Sequence, residues 1–187
     1  ALVAALRARG VAVVSDAPDR GPVIWATGWL GLLDLSAELG KSVGAGIKGQ
    51  SAAFGFDAPG APQLFVDGLH IVPHANGTVA IGSTSEREFD DPAGVDDQCE
   101  DLIARAMAAL PVLRNAPVVE RWAGVRPRAR SRAPMLGAWP GRDGHFIANG
   151  GFKIGFGMAS KVAEVMADLV CDGVDAIPDG FRVDASM

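Results

Sequence analysis

Residues Gly150-Gly151-Phe152-Lys153-Ile154-Gly155-Phe156-Gly157 separate a short apolar run, Phe146-Ile147-Ala148, from a stretch in which Met158, Val162, Val165, Met166, Leu169 and Val170 share one helical face. A strand, a glycine-lined turn and an amphipathic helix in that order restrict the chain to an α/β arrangement, because the helix must pack back on the sheet that the strand enters. The same turn gathers backbone N–H groups, the positive end of a helix and one cation, Lys153, at a single place. Glycines there let a flat group approach the backbone closely. Such a place suits an anionic or electron-accepting ligand.

The start of the sequence carries a complementary signal. Ala1 falls inside a pattern that is already helical, with Leu2, Val3 and Leu6 on one face and Arg7-Ala8-Arg9-Gly10 as a basic last turn closed by glycine. No N-cap residue and no Met precede it. Val11-Ala12-Val13-Val14 and Pro22-Val23-Ile24-Trp25-Ala26 read as buried-type parallel strands, the second ending in the small-residue turn Ala26-Thr27-Gly28. Together they predict an α/β nucleotide-binding sheet whose opening βαβ unit is missing. Apolar strand faces at Val11–Val14 and Val23–Ala26 would then be exposed, which predicts poor solubility or a partner covering them.

A hydrophobic fraction of 49% with four Trp and eight Phe in 187 residues is enough for a sizeable core. A net charge of -5 argues against nucleic acid as the partner. No run of about 20 apolar residues could span a bilayer, and no signal-peptide pattern opens the chain, so the expectation is a cytoplasmic protein. Cys99 and Cys171 both read as buried, reduced thiols on apolar helix faces. His70, His74 and His145 read as structural, and their spacing makes no metal site.

From Ile47 the pattern changes to short strands divided by Gly, Pro and Asn: Gly49–Phe54, Leu69–His74 and Thr78–Ser83. Asn76-Gly77 between the last two predicts an antiparallel hairpin with a type I′ turn. Cys99, Leu102, Ile103, Ala106, Met107 and Leu110 recur at helical spacing, predicting a helix from Val95 to Leu110 that lays one face on the sheet. Val118–Trp122 reads as a further strand, leading into Ala123-Gly124-Val125-Arg126-Pro127.

Six short motifs in order, Ala26-Thr27-Gly28, Lys48-Gly49-Gln50, Ile71-Val72-Pro73 with Gly77-Thr78-Val79, Gly82-Ser83-Thr84-Ser85-Glu86, Trp122-Ala123-Gly124-Val125-Arg126-Pro127 and Gly150-Gly151-Phe152-Lys153, resemble the FAD-dependent D-amino acid oxidase, glycine oxidase and sarcosine oxidase family. The resemblance covers essentially the whole chain. It lacks the N-terminal Gly-x-Gly-x-x-Gly unit on which that family holds the FAD pyrophosphate, and no second set of glycines is read as replacing it.

The resemblance implies an incomplete, Rossmann-like FAD-binding domain from residues 1–46 and 128–187, joined to a mainly antiparallel substrate domain at 47–127. It implies that Arg126 grips the substrate carboxylate, a task suited to a planar guanidinium, and that Lys153 is a second carboxylate contact beside the flavin. Arg121, Arg128, Arg130 and Arg132 are read as solvated or packed against acids. Ala26, Thr27 and Gly28, together with Gly151, Phe152, Lys153, Ile154, Gly155, Phe156 and Gly157, correspond to segments lying against FAD, with the last helix aimed at the flavin. Val13 corresponds to a backbone contact with adenine.

The chemistry implied is oxidation of a small amino acid or amine by hydride transfer from Cα to flavin N5, giving an imine, with O₂ or another acceptor reoxidising the flavin. The chain has no Tyr, so the tyrosine that many relatives place over the substrate is not in this sequence. Ala80 stands where sarcosine oxidases carry a lysine, and Arg128–Met135 contains no cysteine for a covalent link, which implies non-covalent FAD. Two readings stay open. The chain is the C-terminal portion of such an enzyme, or it is a non-catalytic remnant or subunit, and a partner chain or a second copy completes the FAD site.

Overall fold

The computed structural model describes residues 2–187. In chain order its elements are α1 (Leu2–Ala8), β1 (Val23–Trp25), α2 (Gly28–Glu38), β2 (Gly44–Phe54), β3 (Leu64–Val66), β4 (Leu69–His74), β5 (Thr78–Gly82), α3 (Asp97–Ala109), β6 (Val118–Ala129), β7 (Met135–Ala138), β8 (His145–Asn149) and α4 (Gly155–Ala167). They form a mixed α/β structure with two sheets, as the motifs imply. One sheet has the order β3-β4-β5-β2-β6 and is antiparallel throughout; the other has the order β1-β8-β7, with β1 parallel to β8.

The larger sheet takes its two faces from strand alternation. Ala52, Phe54, Ile71, Val79 and Ile81 turn to one side and form a core with Cys99, Leu102, Ile103 and Ala106 of α3. That is the helical stripe read from the sequence. Asp96 starts α3 by accepting from the Gln98 N–H, and Asp97 and Glu100 in the first turn favour the positive end of the helix. In the smaller sheet, Leu32 and Leu35 of α2 pack with Val43, Met135 and Ile147, while Val165 and Met166 of α4 pack on Leu136 and Ile177.

Several expectations are corrected. Val11–Val14 is not a strand: the segment is irregular, and Val13 and Val14 are 43% and 64% exposed. A three- or four-residue extended segment without a hydrogen-bonded neighbour has nothing to hold it as a strand, and β1 itself pairs on one edge alone. The apolar exposure anticipated there is present, with Val11 and Ile24 exposed as well. The hairpin joins β4 to β5 as read, but through the three-residue loop Ala75-Asn76-Gly77, with His74 opposite Thr78. Gly77 has a positive φ and Asn76 does not, so the turn is not type I′. Cys171 is exposed. Strand β2 begins at Gly44 and β6 ends at Ala129, so both run through the boundaries drawn at 46/47 and 127/128. Among the described residues, no helix is long and apolar enough to cross a membrane.

Two outcomes test this packing. Leu102→Ala should cost about 2–5 kcal/mol of unfolding free energy in chemical denaturation, as removal of a fully buried leucine leaves a cavity between α3 and the sheet. A thiol reagent should label Cys171 in the native protein and Cys99 after denaturation alone, since burial pushes the Cys99 thiol up and closes it to solvent.

Candidate active site

Strand β6 carries Arg126 towards the glycine turn. Its last residues pair with that turn directly: Arg128 bridges Gly151, and the Phe152 N–H donates to the Pro127 carbonyl at 2.9 Å. The approach requires glycine at position 150, where φ is +74° and a Cβ would lie 2.6 Å from the Ala129 Cβ. Asn149 fixes the other side, donating to the Gly28 carbonyl at 2.8 Å and accepting from the Gly150 N–H at 2.7 Å. The ends of β1, β6 and β8 thus meet at one point.

There Arg126 and Lys153 flank one ring. The Arg126 Cζ is 5.7 Å and the Lys153 Nζ 5.6 Å from the centroid of Phe152. The Arg126 guanidinium donates to Ser83 Oγ at 2.6 Å, to the Thr84 carbonyl at 2.9 Å and to the Lys48 carbonyl at 3.2 Å. Its path crosses Gly49, where a Cβ would come within 2.7 Å of the guanidinium. The Nε–H is buried without a partner. A buried, unpaired N–H on a part-buried cation costs free energy that an anionic ligand recovers. Burial pulls the Arg126 pKa down, and the nearby Glu86 carboxylate opposes that shift; a guanidinium nevertheless stays charged in a protein.

Beneath Arg126 lies a buried polar cluster. Lys48 and Glu86 form an ion pair at 3.6 Å, both nearly inaccessible. Gln50, fully buried, donates to Glu86 at 3.1 Å and to Asp96 at 2.8 Å, and its side-chain oxygen accepts from the Asp96 N–H at 2.9 Å. The Thr84 hydroxyl also donates to Glu86. Lys48-Gly49-Gln50 and the run ending at Glu86 stand in the sequence as motifs, with no role for the individual side chains. That role depends on the register of β2 against the segment after β5, which no local pattern reveals.

A cavity of about 540 Å³ opens beside this point, between the ends of β1 and β8 and the inner face of α4. Of the residues expected at the cofactor, Ala26, Gly28, Gly151 and Gly155 line it, with Pro127, Asn149 and Met158 beside them. Thr27, Phe152, Lys153, Ile154, Phe156 and Gly157 do not. Phe156 is fully exposed, Ile154 is 46% exposed, and Lys153 is exposed at the turn. Val13 lies in the irregular segment and takes no part in the cavity wall. No side chain caps the first turn of α4, which leaves its N–H groups available.

Gly44-Ala45-Gly46-Ile47-Lys48-Gly49 has Gly-x-Gly-x-x-Gly spacing but does not replace the N-terminal unit. All six residues lie in β2 and pair with β6, so they cannot form the turn that cradles a pyrophosphate. Packing accounts for these glycines instead: a Cβ at Gly44 would lie 2.7 Å from the Arg128 carbonyl and one at Gly46 2.6 Å from Val125. Of the histidines, His145 accepts from the Trp25 indole at 2.9 Å and stacks on its ring, while His70 pairs with Gln63. The arginines beside Arg126 behave as surface groups where they are paired, with Arg121 bound to Glu100.

A parallel strand pair ending in a glycine turn is thus set against an antiparallel sheet that presents a part-buried arginine. The chain belongs to the family of FAD-dependent oxidoreductases (DAO), whose model matches residues 2–169. It is 31% identical over 167 residues to a glycine oxidase of Pseudomonas aeruginosa, covering 86% of this chain and 46% of that protein. A glycine oxidase of Pseudomonas putida is 31% identical over 159 residues, 84% of this chain and 43% of that one. The crystal structure of glycine oxidase from Geobacillus kaustophilus superposes with a TM-score of 0.76 at 28% identity, covering 87% of this chain and 45% of that chain. The chain therefore spans about half the length of the relatives it matches.

The cluster under Arg126 predicts an acid sensitivity. Hydrogen bonds from the Gln50 side chain first, and from the Gln98 N–H, hold the Asp96 carboxyl below the usual carboxylate range. A depressed folded pKa stabilises the fold above the unfolded value, about 3.9, and that stability is lost as pH falls through the folded value. Melting temperatures measured between pH 7 and pH 2.5 should fall less steeply for Asp96→Asn than for the wild type below about pH 4. Parallel acid limbs would show that the Gln50 bond does not favour the charged form.

Proposed function

We propose that this chain supplies the substrate-binding half, and one wall of the flavin site, of an enzyme that oxidises a small amino acid or related amine with FAD. The observation that carries the reading is Arg126: a guanidinium fixed by Ser83 and two carbonyls, with its Nε–H buried and unpartnered, sharing the Phe152 ring with Lys153. Arg126 binds the substrate carboxylate and Lys153 adds a second charge at the mouth. Glycine is the leading candidate substrate, on the strength of the glycine oxidases that the chain is similar to.

The residues present fit non-covalent FAD. The glycine turn, the uncapped start of α4 and the apolar cavity wall of Ala26, Gly28, Gly151 and Met158 suit a flat ring that gains negative charge. When bound, FAD accepts the hydride from the carbon bearing the amine. The protein's part is positioning: two cations orient the carboxylate so that the Cα–H bond faces the ring site, and β8 and α4 cover one side of it. The three-stranded sheet with α2 and α4 serves the cofactor and the five-stranded sheet the substrate, with β2 and β6 running from one to the other.

The free edge of β1, with Ile24 exposed on it, supports a second element of the reading. A further βαβ segment, whether from a longer chain or a partner chain, pairs there and carries the pyrophosphate site. In that arrangement this chain alone binds carboxylate and holds FAD weakly.

NMR titration of the chain with glycine should shift the Arg126 Nε–H resonance to saturation, while glycinamide should have no effect. Arg126→Lys should weaken glycine binding about 10- to 100-fold, the worth of charge-assisted hydrogen bonds of roughly 1.5–3 kcal/mol. If wild-type protein ignores glycine and sarcosine at tens of millimolar and leaves FAD fluorescence unquenched, the reading is wrong.

A further inference from the structure

Arg126 can select a carboxylate only if its own position is fixed before the ligand arrives, because the carboxylate must meet donors in a set direction. Its three protein acceptors sit on two pieces of chain: Lys48 on β2, and Ser83 and Thr84 on the segment that follows β5. That segment has left the β5 ladder, so its place against β2 depends on other bonds. Lys48 and Glu86 exchange two backbone hydrogen bonds, each 2.9 Å. The Thr84 N–H donates to the Gln50 carbonyl at 3.2 Å, and the Gln50 N–H donates to the Thr84 hydroxyl at 2.7 Å. The side-chain cluster completes the tie. The Gln50 amide, the Thr84 hydroxyl and the Lys48 ammonium all converge on the Glu86 carboxylate, which is 8% exposed.

Resting on the reading of Arg126 as the carboxylate clamp, we infer that Glu86 is a positioning residue for substrate binding: its carboxylate locks residues 83–86 against β2 and so presets the Arg126 guanidinium. The chemistry requires a carboxylate. Three donors point at Glu86, and an ionised carboxylate offers acceptors alone, whereas an amide in its place turns an N–H₂ group towards one of those donors. The locked segment then loosens, and the Thr84 carbonyl and Ser83 hydroxyl no longer hold the guanidinium in one orientation. The loss reads as weaker substrate binding at a site that Glu86 does not touch.

The test uses the full chain with two single variants, Glu86→Gln and Thr84→Val, the second removing a tie to Glu86 while leaving both buried charges in place. In each, glycine affinity should fall at least fivefold, and hydrogen exchange at the Arg126 Nε–H should speed up by a similar factor, with the melting transition still cooperative. On an Arg126→Lys background the same changes should leave glycine affinity unaltered, because the interaction they act through is gone. Wild-type affinity and exchange in both variants, alongside a loss of binding in Arg126→Lys, would make the cluster merely structural and leave the carboxylate clamp standing. If no variant and no wild type binds glycine, the clamp itself falls; Arg126 Nε–H exchange still decides whether Glu86 fixes the guanidinium, and exchange unchanged in Glu86→Gln overturns the inference.

Discussion

The antiparallel ladder between β2 and β6, from Gly44 opposite Ala129 to Phe54 opposite Val118, is the constraint on which the rest of the structure depends. It belongs to the five-stranded sheet along most of its length, yet its outer end reaches the three-stranded sheet, where Pro127 and Arg128 bond the turn after β8. A single strand pair therefore joins the two sheets and places Arg126 between them. Small residues make the join possible. Gly44, Gly46 and Gly49 let neighbouring backbone and side chains close over β2 at distances that a Cβ would block, and Gly150 does the same against Ala129. The register, once set by this ladder, puts Arg126 opposite Ile47 with its guanidinium over Gly49, with no freedom to slide by one residue without moving it to the opposite face.

Arg126 also shows how a fold retains a partly buried charge. Desolvation of a cation is expensive, and pairing with buried neighbours is the usual compensation. Here the direct partners are neutral: one hydroxyl and two carbonyls. The nearest carboxylate with an electrostatic effect, Glu86, is already engaged by Lys48, Gln50 and Thr84. The charge of Arg126 is thus supported without being neutralised, and one N–H is left over. A surface arginine such as Arg121, bidentate on Glu100, has no such surplus. This difference in partners separates the proposed clamp from the other arginines of β6 and its flank.

Much of this was legible in the sequence where local physics governs. The α3 stripe and the α4 stripe were periodic enough to place both helices, and Asn-Gly marked the β4–β5 connection, though its loop proved one residue longer than a type I′ turn. Local physics misled elsewhere. Val11–Val14 has strand composition and no strand to pair with. Cys171 sits after the end of α4, in the π-helical turn Asp168–Asp172, and at about 100° per residue it falls opposite the stripe of Met158, Val162, Val165 and Leu169, which is why it is exposed. Gly44–Gly49 has the spacing of a phosphate loop and is a strand, because what makes such a loop is the turn between a strand and a helix and not the glycines alone. The tie between Glu86, Gln50 and Lys48 joins residues 36 and 38 positions apart, and nothing in either segment alone announces it.

The two sheets differ in how complete they are, and that difference orders the site. The five-stranded sheet is closed on one face by α3 and forms its own core, and the proposed carboxylate clamp is built on it. The three-stranded sheet has β1 on an open edge, with Ile24 exposed, and the cavity under α4 opens onto that edge. Parallel strands are normally flanked and buried. A cofactor seated at the glycine turn would therefore rest against one rigid wall, formed by β8 and α4, and one wall still to be supplied. Anything that pairs with β1 removes apolar surface from water and, in the same step, encloses the cavity. On the proposed reading, covering the β1 edge and enclosing the cavity are therefore coupled, whereas the bonds that fix Arg126 on β6 depend on neither.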